Sequence, residues 1–345
     1  MSKWFAVDAI DEAIDRTKKL LLPFNLSFWL KLALVAMLVG GSGFGNIGNW
    51  GDFKGEKDAG DSKLPQLSQG VIILGIAIVA VVIIVGLVLS YLSAISSFVL
   101  IKALVKRDLR LVEDYQANAD LGVRYFLFNL CALILMFALG MGAFMAGLGI
   151  YLVVKSTFIL IFLFVLGIVY LAAVIFTFST IMWLVREFAV PMVYANGGGI
   201  TDALRQVISL FKSNFWQFSV YMLLKFALGI AAGIVVLVVS IPIIILLAVA
   251  AVVLGVAALA GTGALEGIAM TPALIALIVM GIIIVIFILM AVSYVIEFLT
   301  LPVSVFLRYY GLLFLQKVNP KLNLLNGGGT GDAEVQVKTK NVKVY

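Results

Sequence analysis

Few residues in this 345-residue chain could do chemistry, and four stand out by type and position: Lys225, Glu187, Glu297 and Asn129. Lys225 lies inside an apolar run that opens near Phe215, roughly 15 Å along a helix at the standard rise. An ionisable group that deep is a functional hypothesis by default. Glu187 and Glu297 close two other apolar runs and are its natural counter-charges, and Asn129 stands near the start of a third. Together they would form an intramembrane polar site for a proton or a small substrate. The plainer reading has Lys225 reaching back to the interface on its aliphatic stem, or forming a structural ion pair.

Other chemistries are excluded by what the chain lacks. It has no histidine and one cysteine, Cys131, so imidazole-activated nucleophiles, His/Cys metal clusters and intrachain disulfides cannot be built. The glycine runs at 40–45 and 197–199 have no following Lys-Ser/Thr pair and sit in no strand-to-helix unit, so neither is a phosphate loop. Asp52, Glu56, Asp58 and Asp61 are interleaved with lysines and miss the spacing of a calcium loop. The expectation is no catalytic set, no metal, no cofactor and no nucleic-acid partner. Thr177, Ser179 and Thr180 could line a polar route but are expected to serve packing, bonding back to their own helix or across to a neighbour.

The elements that position these residues follow from composition. Apolar residues make up 63% of the chain and charged residues 12%, against roughly 45–50% and 25% in soluble domains. Apolar runs long enough to cross a bilayer occupy 28–43, 71–105, 125–152, 158–184, 215–260 and 271–296. The run at 71–105 would be roughly 50 Å as one helix, so its serine-bearing end leaves the lipid. Lys155, Ser156 and Thr157 alone separate the third and fourth runs, a tight helical hairpin. Pro242 should kink or end the fifth, and Glu297 with Pro302 should end the sixth. The first residues are too rich in acids for a signal peptide, so insertion is expected to rely on the spans.

Residues 242–260 are either a seventh span or a re-entrant extension of the fifth, and charge favours the extension. With six spans and both termini inside, the outer loops keep only Lys54, Lys57, Lys63 and Lys155. Apart from Lys225, every other Lys and Arg falls on the cytoplasmic side, as the positive-inside rule prefers. Seven spans would put the C-terminal cations outside. Cell-membrane residence with cytoplasmic termini follows.

Each pair of spans is preceded by a polar, helix-compatible segment. The first carries Val7, Ile10, Ile14 and Leu21 at helical spacing opposite a charged face, the pattern of an interfacial helix. The others are 108–124 and 200–212. Each leads into aromatic residues at the start of a span: Phe24, Phe28 and Trp29; Tyr125, Phe126 and Phe128; Phe215, Trp216 and Phe218. Phe137-Ala138-Leu139-Gly140 recurs as Phe226-Ala227-Leu228-Gly229, and Glu187-Phe188 before Pro191 recurs as Glu297-Phe298 before Pro302. The expected fold is therefore all-α, a polytopic transmembrane helical bundle of six spans in three elbow-plus-hairpin units. Residues 1–316 form one domain with pseudo-repeats at 4–105, 106–190 and 198–316. Residues 317–345 form a flexible cytoplasmic tail.

The segments WFAVDAIDEAID, PFNLSFWLKLALV running into GGSGFG, REFAVP, NFWQFSVYMLLKFALGIAAG and FLRYYGLLFL resemble uncharacterised archaeal membrane proteins related to the membrane domain of glycerophosphodiester phosphodiesterases. That resemblance implies six spans with elbow helices. The soluble catalytic domain of those phosphodiesterases has no counterpart here, so their activity is not implied. The expected function is a non-enzymatic membrane scaffold or assembly component. It would contact membrane lipids and a protein partner or second copy through its elbows or tail. The alternative is a transporter or lipid-handling protein for a small or amphipathic substrate.

Overall fold

The computed structural model describes residues 4–22, 24–40, 69–154, 156–261, 272–322 and 324–325, and all regular structure among them is helical. In chain order the helices are α1 (Phe5–Leu21), α2 (Leu26–Gly40), α3 (Gln69–Lys106), α4 (Leu111–Ala117), α5 (Ala119–Val154) and α6 (Thr157–Leu184). A π-helical turn (Val185–Ala189) leads into α7 (Val190–Asn196), followed by α8 (Ile200–Ser213), α9 (Phe215–Gly261) and α10 (Pro272–Val318). Five described helical stretches are long and apolar enough to cross a membrane: Gly75–Lys106, Ala119–Val154, Thr157–Asn196, Phe215–Ile243 and Ile286–Val318. α2 is apolar but has 15 residues, roughly 22 Å against a hydrocarbon core of about 30 Å.

The contacts divide the chain into two compact units. The first comprises the described residues up to Arg16, Ala94–Met222 and those from Arg308 on; the second is Thr17–Ser93 with Leu223–Leu307. The first has a dense aromatic core in which Phe98, Phe188, Phe218, Tyr221, Tyr310 and Phe314 are fully buried. The core of the second is thinner: Leu32, Ala33, Val35 and Ala36 of α2 with Leu301 and Val305 of α10. It also encloses a polar line on α10, where Ser293, Glu297 and Thr300 are all buried at helical spacing.

Within the first unit, α5 and α6 form the expected hairpin. They expose large apolar side chains on every side, Phe137, Phe144, Phe162 and Phe176 among them. A helix that is apolar all round and unburied by protein is built for lipid. Where close approach is needed, glycine supplies it. A side chain on Gly122 of α5 would collide with both the backbone and side chain of Ile95 on α3. Gly197 takes φ +68° at the end of α7 and donates its N–H to Val193, a left-handed cap that glycine adopts without steric cost. The 197–199 glycines are therefore a built corner between α7 and α8.

Three local expectations need correction. α9 runs through Pro242 to Gly261 and α10 runs through Glu297 and Pro302 to Val318, so neither proline ends its helix. A proline inside a helix costs about 3 kcal/mol. Beyond Pro302, Val305, Tyr309, Tyr310 and Leu312 to Leu315 are all buried, at roughly 1.5–3 kcal/mol for each large apolar side chain, which outweighs that cost. α10 thus continues into the segment expected as tail. The segment expected as the second elbow holds a seven-residue helix, α4, separated from α5 at Asn118. In α1 the protein-facing stripe is Ala6, Ala9 and Ala13, fully buried, while Val7 and Ile14 are exposed. The exposed Val7 and Ile14 are compatible with the expected interfacial helix, and the alanines let the helix backbone approach the protein. The 46–69 loop, apart from Gln69, and the 326–345 tail lie outside the described residues.

Candidate functional site

A meeting of polar groups in the first unit is built on the π-helical turn. Five residues there follow an i→i+5 pattern, with the Val190 N–H bonded to the Val185 carbonyl. Such turns are uncommon and concentrate at functional sites. Phe188 of this turn is fully buried, edge-on to Phe218 with centroids 5.4 Å apart and tilted against Tyr221 at 5.5 Å. This anchors the turn and directs its neighbour, Glu187, toward α9 and α10.

Glu187 Oε1 accepts a hydrogen bond from the Tyr221 hydroxyl at 2.6 Å. A Cβ on Gly311 of α10 would collide with that carboxylate and lie 3.1 Å from the Tyr221 hydroxyl. Tyr221 is held in turn by stacking on Phe314, 4.1 Å between centroids, and on Tyr310, 5.0 Å. Glycine at 311 is therefore what admits the Glu187–Tyr221 pair. Beside it is a cavity lined by Ser97, Glu187, Pro191 and Arg308, with Leu104 and Leu312 among its apolar walls. Its inner space, about 10 Å³ open to a water's centre, has room for about one water. Arg308 thus brings a guanidinium to the same small space as the Glu187 carboxylate.

A second polar node ties α3 to α4. Asp114 is almost wholly buried, pairs with Lys102, and accepts the Arg110 N–H at 2.9 Å. The carboxylate thereby caps a helix start while neutralising a lysine. Next to it Ser96 and Tyr115 share a hydrogen bond of 2.5 Å. Burial pushes the Tyr115 phenol above its ordinary value, while Ser96 pulls it the other way. The Tyr309 hydroxyl donates to the Leu104 carbonyl at 2.7 Å, joining α10 to α3. Glu12 of α1 pairs with Arg16 at 3.0 Å and with Lys317 at 3.7 Å.

Of the four residues the sequence singled out, Glu187 alone lines this cavity. Asn129 is half-buried on α5 of the same unit. Lys225, half-buried on α9, and Glu297, buried on α10, both belong to the second unit. Thr180 bonds back to the Phe176 carbonyl of its own helix, as expected. Sequence reasoning missed Tyr221, Arg308 and Gly311. A signal was present: they fall in the segments NFWQFSVYMLLK and FLRYYGLLFL, and Glu187 falls in REFAVP. The same segments that carry the family resemblance also build the site.

The chain matches the model of a family of unknown function, DUF7544, over residues 4–325, and belongs to that family. No curated protein and no solved structure matches it.

Proposed function

We propose that this DUF7544 member is a non-enzymatic scaffold or assembly component of the cell membrane, with six spans in three elbow-plus-hairpin units and both termini cytoplasmic. The observation that carries the reading is how the first unit uses its charges. Glu187 is engaged by Tyr221, Asp114 by Lys102 and the Arg110 N–H, and Glu12 by Arg16 and Lys317. Glu187–Tyr221, Asp114–Lys102 and Glu12–Lys317 each tie one helical segment to another, which is what a rigid platform requires. The lipid-facing α5–α6 hairpin would anchor that platform. The distribution of Lys and Arg supports the orientation, with α2 as the sixth, shorter crossing. The resemblance to the membrane domain of phosphodiesterases supports a membrane-embedded rather than a catalytic role.

A substrate-free accessibility experiment tests this. Cys131→Ser removes the one native thiol, and Ser97→Cys places a reporter in the cavity. In proteoliposomes a scaffold's reporter is labelled by an impermeant maleimide from at most one face, at one rate, with or without a pH or voltage gradient. Labelling that changes face under a gradient would replace the scaffold with the transporter alternative.

A further inference from the structure

The last described residues fold back onto α1. Leu322 and Leu324 are buried, and the Arg16 guanidinium of α1 donates to the Leu325 carbonyl at 3.3 Å. Glu12, one turn before Arg16, holds Lys317 at the end of α10 at 3.7 Å. Leu325 is therefore pinned beside α1, and residues 326–345 start from that point. Around the helix from this edge, Asp8, Asp11 and Asp15 recur at i, i+3 and i+7, all exposed and bordered by exposed Trp4, Val7 and Ile14. None of the three aspartates has an ion pair or a side-chain hydrogen bond among the described residues. Three carboxylates so spaced repel one another, and they repel an anionic lipid surface too. A cationic occupant relieves both, and the apolar border favours one that also carries aliphatic side chains.

The segment 333–345 has that composition. Lys338, Lys340 and Lys343 outnumber Glu334, with Val335, Val337, Val342 and Val344 spaced among them. Reach is sufficient. From Arg16 the exposed face runs back to Trp4, roughly 18 Å along the helix. Residues 326–332, Asn-Gly-Gly-Gly-Thr-Gly-Asp, span up to about 25 Å when fully extended. A tether this short presents the segment at an effective concentration of about a millimolar. Contacts too weak to hold a separate peptide therefore suffice to hold this one.

We propose that residues 333–345 dock on the exposed face of α1 in the same chain, with Lys338, Lys340 and Lys343 against Asp8, Asp11 and Asp15, and the valines against Trp4, Val7 and Ile14. The segment covers α1, and a basic partner that uses this face must displace it. The contact is independent of the scaffold reading, since a transporter would carry it equally.

The test uses the full-length protein in nanodiscs, with Cys131→Ser removing the native thiol and spin labels attached at Lys19→Cys on α1 and Thr339→Cys in the segment. Pulsed dipolar spin resonance gives a narrow distance distribution no longer than α1 itself, roughly 25 Å. Combining Lys338→Glu, Lys340→Glu and Lys343→Glu lowers the docked-to-free ratio about tenfold, which is what three exposed ion pairs are together worth. High salt lowers it in the same way. Adding Asp8→Lys, Asp11→Lys and Asp15→Lys to that variant restores the narrow component, which a general loss of structure would not do. Should the α1 variant fail to fold, the lysine variant and the salt series decide, because those lysines lie outside the described core. A broad distribution in the parent, or a narrow one that the lysine variant leaves unchanged, overturns the assignment. A narrow distance that arises only between singly labelled chains mixed together overturns it in favour of a second copy. A broad distribution with the α1 label relaxed by oxygen rather than by a water-soluble nickel chelate overturns it in favour of a lipid surface.

Discussion

Glu187-Phe188 and Glu297-Phe298 are the same two letters followed by a proline, four residues after the glutamate in one case and five in the other. Their backbones differ. The first pair sits on the π-helical turn, with Phe188 fully buried among aromatic rings and Glu187 bonded to Tyr221. The second sits in the uninterrupted α10, with Glu297 buried, Phe298 half-buried, and the Phe298 ring edge-on to Trp29 at 5.9 Å. There Thr300 Oγ1 donates back to the Ile296 carbonyl one turn before Pro302. A widened turn leaves room for the Pro191 ring, whereas a regular α-helix must tolerate the ring of Pro302 and lose a hydrogen bond to the Phe298 carbonyl. A local motif in a membrane chain thus signals a helix-distorting site, and the neighbours decide how the distortion is resolved.

The comparison can be broken at several points. The largest effect is expected at Gly311→Ala, where the new methyl collides with the Glu187 carboxylate. Overpacking of this kind costs about 3 kcal/mol, measurable as a loss of unfolding free energy in lipid. The same substitution in a Glu187→Ala background should cost less than half as much. A full cost there would mean that Glu187 does not fill the space over Gly311.

Next are the prolines. Pro302→Ala restores a donor to a continuous helix and should raise stability by about 2 kcal/mol, somewhat less than the intrinsic penalty of an interior proline. Pro191→Ala, at the first turn of α7 after the π turn, should give no gain, because proline is tolerated there. Equal gains at both sites would remove the distinction between the two turns. The smallest effect is expected for Thr300→Val. It deletes a second bond to the Ile296 carbonyl, which the helix backbone can satisfy without it, so thermal unfolding should register less than about 1 kcal/mol.

Much of this architecture was legible because lipid imposes a simple rule on sequence: long apolar runs become helices. The α5–α6 hairpin and the helix α8 follow directly from hydropathy and helical spacing. Glu187 was legible as an ionisable residue at the end of a run. Its partners were not, because Tyr221 and Gly311 are ordinary residues in apolar surroundings and matter only through long-range packing. The alanine stripe of α1 was not legible for a related reason: alanine scores weakly as apolar, yet it is the residue that lets two helix backbones meet. Pro302 misled because local propensity is a weak prior against burial of the segment beyond it.

The account turns on Glu187 being held by Tyr221 as part of a packed node. A double-mutant cycle of Glu187→Gln and Tyr221→Phe, read by reversible unfolding in lipid, tests this most directly. A coupling of about 1.5–3 kcal/mol, the range for a hydrogen bond to a charged group, is the predicted result. Additive effects, with no coupling and both single variants as stable as the parent, would contradict it.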